Sequence, residues 1–336
     1  MKLQPKSAIS PLTQTAVMTD YQSSKHWQTP HQVKHETDAI RLLQFSYAPG
    51  VPLIIVPPQA GHHSYIADYG PGQSLAECAA TYYPGSVYVI EWKSCTHKRR
   101  NEGIVDLLLQ LNSAVASVGD YATLVGLCQG GWLATIYAAL HPDSVASLVI
   151  AGAPIDTHAG KSVIHKAVEM PMWMYRAAVL MGCGRMRGQT MLASWKSNDP
   201  IKHYFSRYAN PGADGGRFYK WYDHTQDLAG GWYLWAVEYL FKKNHLFLNK
   251  LKIGNTRVDL NDLQQLDSIH IVTGEKDDIT PAMQSHALLL YANAETHSVD
   301  AGHIGVFMSK KGIKTVWAPL FAKLSTPTKN AKRTNP

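Results

Sequence analysis

The sequence predicts an α/β fold in which a mostly parallel sheet carries a helical insertion. Short apolar runs alternate with amphipathic or alanine-rich segments over the first half of the chain. Such alternation is typical of parallel strands joined by crossover helices. The alternation stops near residue 156 and resumes near residue 266, and 336 residues suffice for one large domain with an insertion of that length.

Seven segments are predicted to be strands. Residues 41–47 alternate apolar and polar side chains, as an edge strand does, whereas residues 51–56 are continuously apolar, as a buried parallel strand is. The other predicted strands are residues 86–92, 122–127, 147–153, 268–273 and 295–299. The predicted helices between them are residues 74–82, 101–118 and 132–140.

These boundaries divide the chain into four kinds of segment. We expect a flexible N-terminal arm (1–35), a core (36–155 and 266–325), a helical lid insertion (156–265) and a basic tail (326–336). The insertion holds five of the nine tryptophans, and six of the ten methionines lie within residues 170–191. Most of these side chains are expected in the core of the insertion, but a lid rich in Met and Trp also suits an apolar, flexible substrate.

The chain is organised around residues 126–131, Gly-Leu-Cys-Gln-Gly-Gly, between an apolar strand and an alanine-rich helix. This is the spacing of a nucleophile elbow, with Cys128 as the nucleophile. Side chains at the flanking glycines would collide with the neighbouring strand and helix. The alternative, a buried cysteine in an ordinary strand-to-helix turn, does not explain glycines on both sides.

Two further residues complete a predicted catalytic triad. Asp277 and His303 each follow a predicted strand, so the order along the chain is nucleophile, acid, histidine, as in α/β-hydrolases. His303 would take the thiol proton and return it to a leaving group, while Asp277 would orient the imidazole. Asp278 is the alternative acid.

The predicted oxyanion hole follows from the available backbone donors. The N–H of Gln129, the residue after the nucleophile, is one donor. The second should come from the loop after Val56, where prolines 57 and 58 have no N–H. That leaves Gln59 or Ala60.

Composition and charge narrow the function classes. Much of the formal charge of +7 lies in the C-terminal residues 310–333, and no nucleic-acid motif is present, so we expect no nucleic-acid partner. The four cysteines show neither CxxC nor metal-ligand spacing, which predicts reduced thiols and no metal. No apolar run approaches 18 residues, so we expect no membrane span and a cytoplasmic location.

Over roughly residues 40–320 the chain resembles the superfamily of polyhydroxyalkanoate synthases and intracellular polyhydroxybutyrate depolymerases. GLCQGG (126–131) is similar to the synthase form of the lipase box, with Cys in place of Ser. Further synthase-like segments are SYIADYGPGQSL (64–75), VYVIEW (87–92), YAALHPDSVASLVIAGAPID (137–156) and AGHIGVF (301–307). GEKDDIT (274–280) resembles the acid motif of the depolymerases, which also share GAPIDT (152–157).

The resemblance implies the same triad, a covalent acyl thioester on Cys128, and (R)-3-hydroxyacyl units as polyester or coenzyme A thioester. It implies no cofactor, with coenzyme A entering only as substrate or acyl acceptor. Synthases typically carry His after the catalytic acid, where this chain has Asp278. The interpretation from sequence therefore favours a depolymerase-like thiol esterase associated with polymer granules. The alternatives are a polyhydroxyalkanoate synthase and an inactive granule-binding protein; a homo-oligomer is left open.

Overall fold

The computed structural model describes residues 26–60, 63–197, 216–223 and 225–324, and an eight-stranded sheet lies at its centre. The strands in chain order are β1 Gln32–Glu36, β2 Ile40–Ser46, β3 Leu53–Val56, β4 Val87–Trp92, β5 Ala122–Leu127, β6 Val145–Ala151, β7 Arg185–Met186, β8 Leu228–Ala229, β9 Lys252–Ile253, β10 Thr256–Arg257, β11 Ser268–Gly274 and β12 Glu295–Val299. The sheet order is β1-β2-β4-β3-β5-β6-β11-β12. Six neighbouring strands, from β4 to β12, are parallel, while β1 and β2 pair antiparallel. The predicted α/β fold with a mostly parallel sheet is confirmed.

Apolar side chains cover both faces of the sheet. Along β3, Ile54 and Val56 contribute to one core cluster, and Leu53 and Ile55 contribute to another on the opposite face. The strand is buried throughout because successive side chains point to opposite faces. The principal helices are Leu75–Tyr82, Ile104–Ala116, Gln129–Leu140, Val163–Glu169, Met172–Met181, Gly188–Ser197, Arg217–Tyr222, Gly230–Trp235, Ala282–His286, His303–Met308 and Ala318–Lys323, with π-helical turns at Ala236–Lys242 and Ile313–Trp317.

The predicted edge strand is not at the edge. β2 is the second strand, and β1 covers its outer side through an antiparallel pairing in which Gln32 is opposite Gln44. The segment QVKHE of β1 is too polar to be recognised as a strand by its apolar pattern. The prediction of a flexible arm over residues 1–35 is therefore wrong for its last residues, and residues 1–25 lie outside the described part of the chain.

Four side chains, Trp27, Arg41, His63 and Glu91, form a buried polar cluster, here called the Glu91 cluster. It holds the start of the described chain against β4. Trp27 Nε1 donates a hydrogen bond of 3.0 Å to Glu91, whose carboxylate also lies 3.0 Å from Arg41 Nε and 3.4 Å from His63 Nε2. The side chain of Glu91 is 5% exposed. Although burial raises the pKa of Glu91, hydrogen bonds from His63 and Trp27 and the positive charges of His63 and Arg41 bring it below its ordinary value.

The insertion forms a roof over the sheet, but its last residues belong to the core. Leu260 and Leu263, in the 3₁₀ helix Leu260–Gln265, are fully buried, and this helix packs against Gln129–Leu140. Because these leucines pack on the helix Gln129–Leu140, which belongs to the core, the helical roof ends before residue 265. The predicted basic tail, residues 326–336, lies outside the described residues. Among the described helices, none has the length and apolar character needed to cross a bilayer.

Candidate active site

Cys128 occupies the turn between β5 and the helix Gln129–Leu140. Its backbone has φ 50° and ψ −114°, a left-handed conformation that costs a non-glycine residue energy. The N–H of Cys128 donates a hydrogen bond of 2.8 Å to the carbonyl of Ala151 at the end of β6. The turn therefore holds the thiol at the carboxyl edge of the sheet, at a helix N-terminus.

The glycines around Cys128 are required by close packing. A Cβ on Gly126 would lie 2.5 Å from the carbonyl oxygen of Gly130, and a Cβ on Gly130 would overlap the carbonyl of Val56. A Cβ on Gly131 would collide with the side chain of Ala153. Since these neighbours belong to the helix and to adjoining strand ends, the predicted reason for the glycines is confirmed.

Asp277 and His303 meet at the same edge of the sheet. His303 Nδ1 lies 2.7 Å from Asp277 Oδ2, and Asp277 Oδ1 accepts hydrogen bonds of 3.0 and 2.8 Å from the N–H groups of Ile279 and Thr280. The Asp277 side chain is fully buried. Two backbone donors thus hold one carboxylate oxygen, which leaves the other fixed against the imidazole.

His303 lines the same cavity as Cys128. Burial by itself lowers the pKa of His303, but its interactions with Cys128 and with the Asp277 carboxylate outweigh burial and raise the pKa to about 10. The arrangement places the Cys128 thiol beside an imidazole that is oriented by a buried carboxylate, which is the grouping that nucleophilic catalysis by cysteine requires.

Asp278 does not occupy a comparable position. Its side chain is exposed, whereas Asp277 makes the contact with His303. The backbone carbonyl of Asp278 accepts a hydrogen bond from Val163 at the start of an insertion helix. The alternative assignment of Asp278 as the acid is therefore wrong in this geometry.

The triad opens into an apolar cavity of about 310 Å³. More than half of the lining residues come from the insertion, among them Trp221, Trp232 and Tyr233, and Ile304 and Phe307 line it from the core. Its volume is at the lower end of the roughly 300–1,000 Å³ typical of small-molecule pockets. Cys128 and His303 both line the cavity.

The predicted oxyanion residues are arranged in an unexpected way. Ala60 lines the cavity, but its N–H donates to the side-chain oxygen of Gln129. The N–H of Gln129 is at the first position of its helix, where no carbonyl of the preceding turn can accept it. Gln59 is buried but is not among the lining residues. The oxyanion assignments remain predictions, and the Gln129 side chain is a contact that the sequence did not reveal.

Two further residues that the sequence reasoning missed position the His303 ring. Phe307 meets it edge-on with ring centroids 5.4 Å apart. Gly152, at φ 51°, faces the ring so closely that a Cβ there would lie 3.2 Å from its Cε1 atom. The available signals were the spacing of Phe307 one helical turn after His303 and a glycine directly following a strand.

The fold and the site together define an α/β-hydrolase-fold enzyme, an ester hydrolase or acyltransferase. Among solved structures, a monoacylglycerol lipase from Paleococcus ferrophilus superposes with a TM-score of 0.53 at 15% identity, covering 85% of this chain and 98% of that one. A carboxylesterase from Nitrososphaera gargenis gives 0.53 at 14% identity, covering 88% and 99%. At such identities the likeness concerns the fold alone.

The chain belongs to the family described as "Protein of unknown function (DUF3141)", whose model matches residues 48–321. It is also similar to proteins named poly(3-hydroxyalkanoate) polymerase subunit PhaC. The Synechocystis protein is 26% identical over 84% of this chain and 81% of its own length. The Allochromatium vinosum protein is 24% identical over 86% of each chain. The resemblance read from the sequence motifs is thus confirmed at the level of similarity.

Proposed function

We propose that the protein transfers 3-hydroxyacyl units through a thioester on Cys128. The observation that carries the proposal is that Cys128 and His303 meet at the floor of an apolar cavity, with His303 held by the buried Asp277. A scaffold or granule-binding protein without activity has no use for a buried carboxylate that orients an imidazole beside a thiol, since burying a charge is costly.

In the first half-reaction the Cys128 thiolate attacks the acyl carbonyl, and the bond from carbon to the leaving sulfur or oxygen breaks. The leaving alkoxide or coenzyme A thiolate takes the His303 proton, which leaves the imidazole neutral and able to act as a base. In the second half-reaction His303 removes a proton from the acceptor hydroxyl, which attacks the thioester, and Cys128 departs as thiolate. Asp277 keeps the ring oriented throughout.

We place synthesis before degradation, with 3-hydroxyacyl-coenzyme A as donor and a polymer chain end as acceptor. The sequence argument for degradation relied on Asp278 acting near His303, but the Asp278 side chain is exposed. The similarity to polymerase subunits over most of their length supports synthesis. A depolymerase-like thiol esterase is the second candidate, and the GEKDDIT segment (274–280) favours it.

Partner and location follow from the same proposal. The substrate is polymer, at a granule surface, or the coenzyme A thioester, with no cofactor required. All four cysteines are free, which suits a reducing compartment such as the cytoplasm. Cys183 is exposed, so in an oxidising compartment it would be the first of the four to form unwanted disulfides.

Two incubations of the purified protein test the proposal. The first supplies 3-hydroxybutyryl-coenzyme A, and free coenzyme A and polymer are measured. The second supplies preformed amorphous polyhydroxybutyrate, and released monomer is measured. Cys128→Ala is the inactive control, and Cys183→Ser is the matched control for removal of an exposed thiol.

Coenzyme A release accompanied by polymer, absent in Cys128→Ala and retained in Cys183→Ser, supports synthesis. Monomer release from polymer, with no polymer formed in the first incubation, would instead support the depolymerase-like activity. Activity that survives in Cys128→Ala, or inactivity in both incubations of a folded protein, refutes the acyl-Cys128 proposal itself.

A further inference from the structure

Three side chains with metal-binding atoms converge on the outer strands of the sheet. His270 projects from β11, and Glu295 and His297 project from β12. Their ligand atoms all lie within 4.8 Å of one another. The strand register brings them together, because His270 is paired with Glu295 and Val272 with His297.

We propose that His270, His297 and Glu295 form a binding site for a divalent transition-metal ion of the zinc class. His270 Nδ1 lies 3.2 Å from His297 Nε2, and the Glu295 oxygens lie 3.9 Å from His270 Nδ1 and 3.8 Å from His297 Nε2. With metal–ligand bonds of about 2.0–2.1 Å, tetrahedral ligands are about 3.3 Å apart. The two imidazoles already have this separation, and a small rotation of Glu295 completes the set.

The buried imidazole is oriented by a hydrogen bond on its other nitrogen. His270 Nε2 lies 3.2 Å from Ser268 Oγ, which lies 3.0 Å from Ser147 Oγ on β6. If Nε2 donates its proton to the hydroxyl, the Nδ1 lone pair faces His297. Zinc-ligating histidines are held in this way by partners outside the coordination sphere.

A cation already occupies the outer side of the cluster. The ammonium group of Lys323, near the end of the helix Ala318–Lys323, pairs with Glu295 Oε2. Lys323 is 57% exposed and Glu295 is 45% exposed, so the ammonium can move into solvent when a metal ion arrives. His270 closes the inner side, and water would take the fourth coordination position.

The site is separate from the proposed acyl-transfer chemistry. His270 lies in the amino-terminal half of β11, whereas Asp277 follows the carboxyl end of that strand. None of the three ligands lines the cavity. A bound ion would join β11 to the edge strand β12 and would therefore stabilise the fold rather than take part in the reaction.

Calorimetric titration of the full chain with Zn²⁺ alone tests the site. A Cys128→Ala background removes the thiolate that would compete for the metal. We expect one Zn²⁺ per chain, at least about tenfold weaker binding in His297→Gln and in Glu295→Gln, and binding up to about fivefold tighter in Lys323→Gln. His141→Gln, at an exposed histidine outside the cluster, is the matched control and should bind as the background does.

The thermal midpoint provides a second measurement, since Zn²⁺ should raise it in the background and in Lys323→Gln but not in His297→Gln. Binding of equal strength in the background, His297→Gln and Glu295→Gln would overturn the proposal. So would weaker binding in Lys323→Gln, or a loss in His141→Gln as large as in His297→Gln. Because the substituted ligands Glu295 and His297 are not fully buried, loss of the fold is not expected to obscure the result.

Discussion

Alkylation of Cys128 should lower the pKa of His303 and convert its ring from a cation into a base. Cys128 is one of the causes that raise this pKa to about 10, and a thiolate at Cys128 would do so through its negative charge. Carbamidomethylation removes the negative charge, whereas Asp277 stays in place at 2.7 Å. An opposite charge at hydrogen-bond distance is worth about 1–3 pH units. We therefore expect a fall of that size, equivalent to about 1.4–4 kcal/mol of proton affinity.

NMR titration of the imidazole resonances measures this change. The protein has 16 histidines, so the His303 signal is assigned by comparison with His303→Gln. The experiment uses Cys183→Ser, which lacks the exposed thiol, and mass spectrometry verifies that Cys128 carries the alkyl group. In the Cys128→Ala control the pKa should already be lower and should not respond to iodoacetamide. A His303 pKa that stays near 10 after complete alkylation would refute the proposed thiolate–imidazolium coupling.

Three further predictions concern the triad and the fold. Asp277→Asn should lower kcat by about 10⁴-fold, because the imidazole loses the carboxylate that orients it. Asp278→Asn should change kcat less than about threefold. Steady-state kinetics would measure both effects, and the reverse order would contradict the geometry. Iodoacetamide should label Cys128 ahead of the exposed Cys183, since a thiolate is the reacting species. Peptide mapping would locate the label, and faster labelling of Cys183 would count against an ion pair between Cys128 and His303. Glu91→Gln should lower the free energy of unfolding at pH 7 by about 1–3 kcal/mol in denaturant titrations. The folded pKa of Glu91 is below the unfolded value of 4.5, so its contribution to stability is present above pH 4.5 and is lost as the pH falls through the folded pKa. If Glu91→Gln loses stability in acid as steeply as the unsubstituted protein does, the stabilising role of the Glu91 carboxylate is wrong.

The geometry of the candidate site was predictable because local sequence constrains it strongly. Glycines at fixed offsets from Cys128 report close backbone approach, and the structure places backbone and side-chain atoms where their Cβ atoms would be. The acid and the histidine were predicted because each follows a predicted strand, and the carboxyl ends of parallel strands share one edge. The acid motif favours Asp277 over Asp278, and burial of Asp277 supplies the physical reason.

Features that depend on pairing across the chain were not predictable in this way. β1 is polar, and only its register with β2 makes it a strand. The contact of the Ala60 N–H with the Gln129 side chain joins residues 69 positions apart. The sequence predicted no metal because its cysteines lack ligand spacing, but the proposed ligands are two histidines and a glutamate brought together by the register of β11 and β12. A single sequence shows the residues of such sites but not the register between strands that brings them together, so these sites cannot be predicted from it.

The proposed triad does not itself choose between synthesis and degradation. Once Cys128 is acylated, the loss of its charge makes His303 a base for water, for coenzyme A and for a chain-end hydroxyl alike. The choice therefore depends on which acceptor reaches the thioester. The cavity is lined chiefly by apolar side chains, including Trp221, Trp232 and Phe307, which offer water few hydrogen-bond partners. An apolar chain end that carries its own hydroxyl gains from burial in the same space. For the proposed acyl transfer, we therefore expect the roof supplied by the insertion to favour transfer to polymer over hydrolysis. Replacing Trp232 with a smaller polar residue should then shift the products of 3-hydroxybutyryl-coenzyme A from polymer toward free acid.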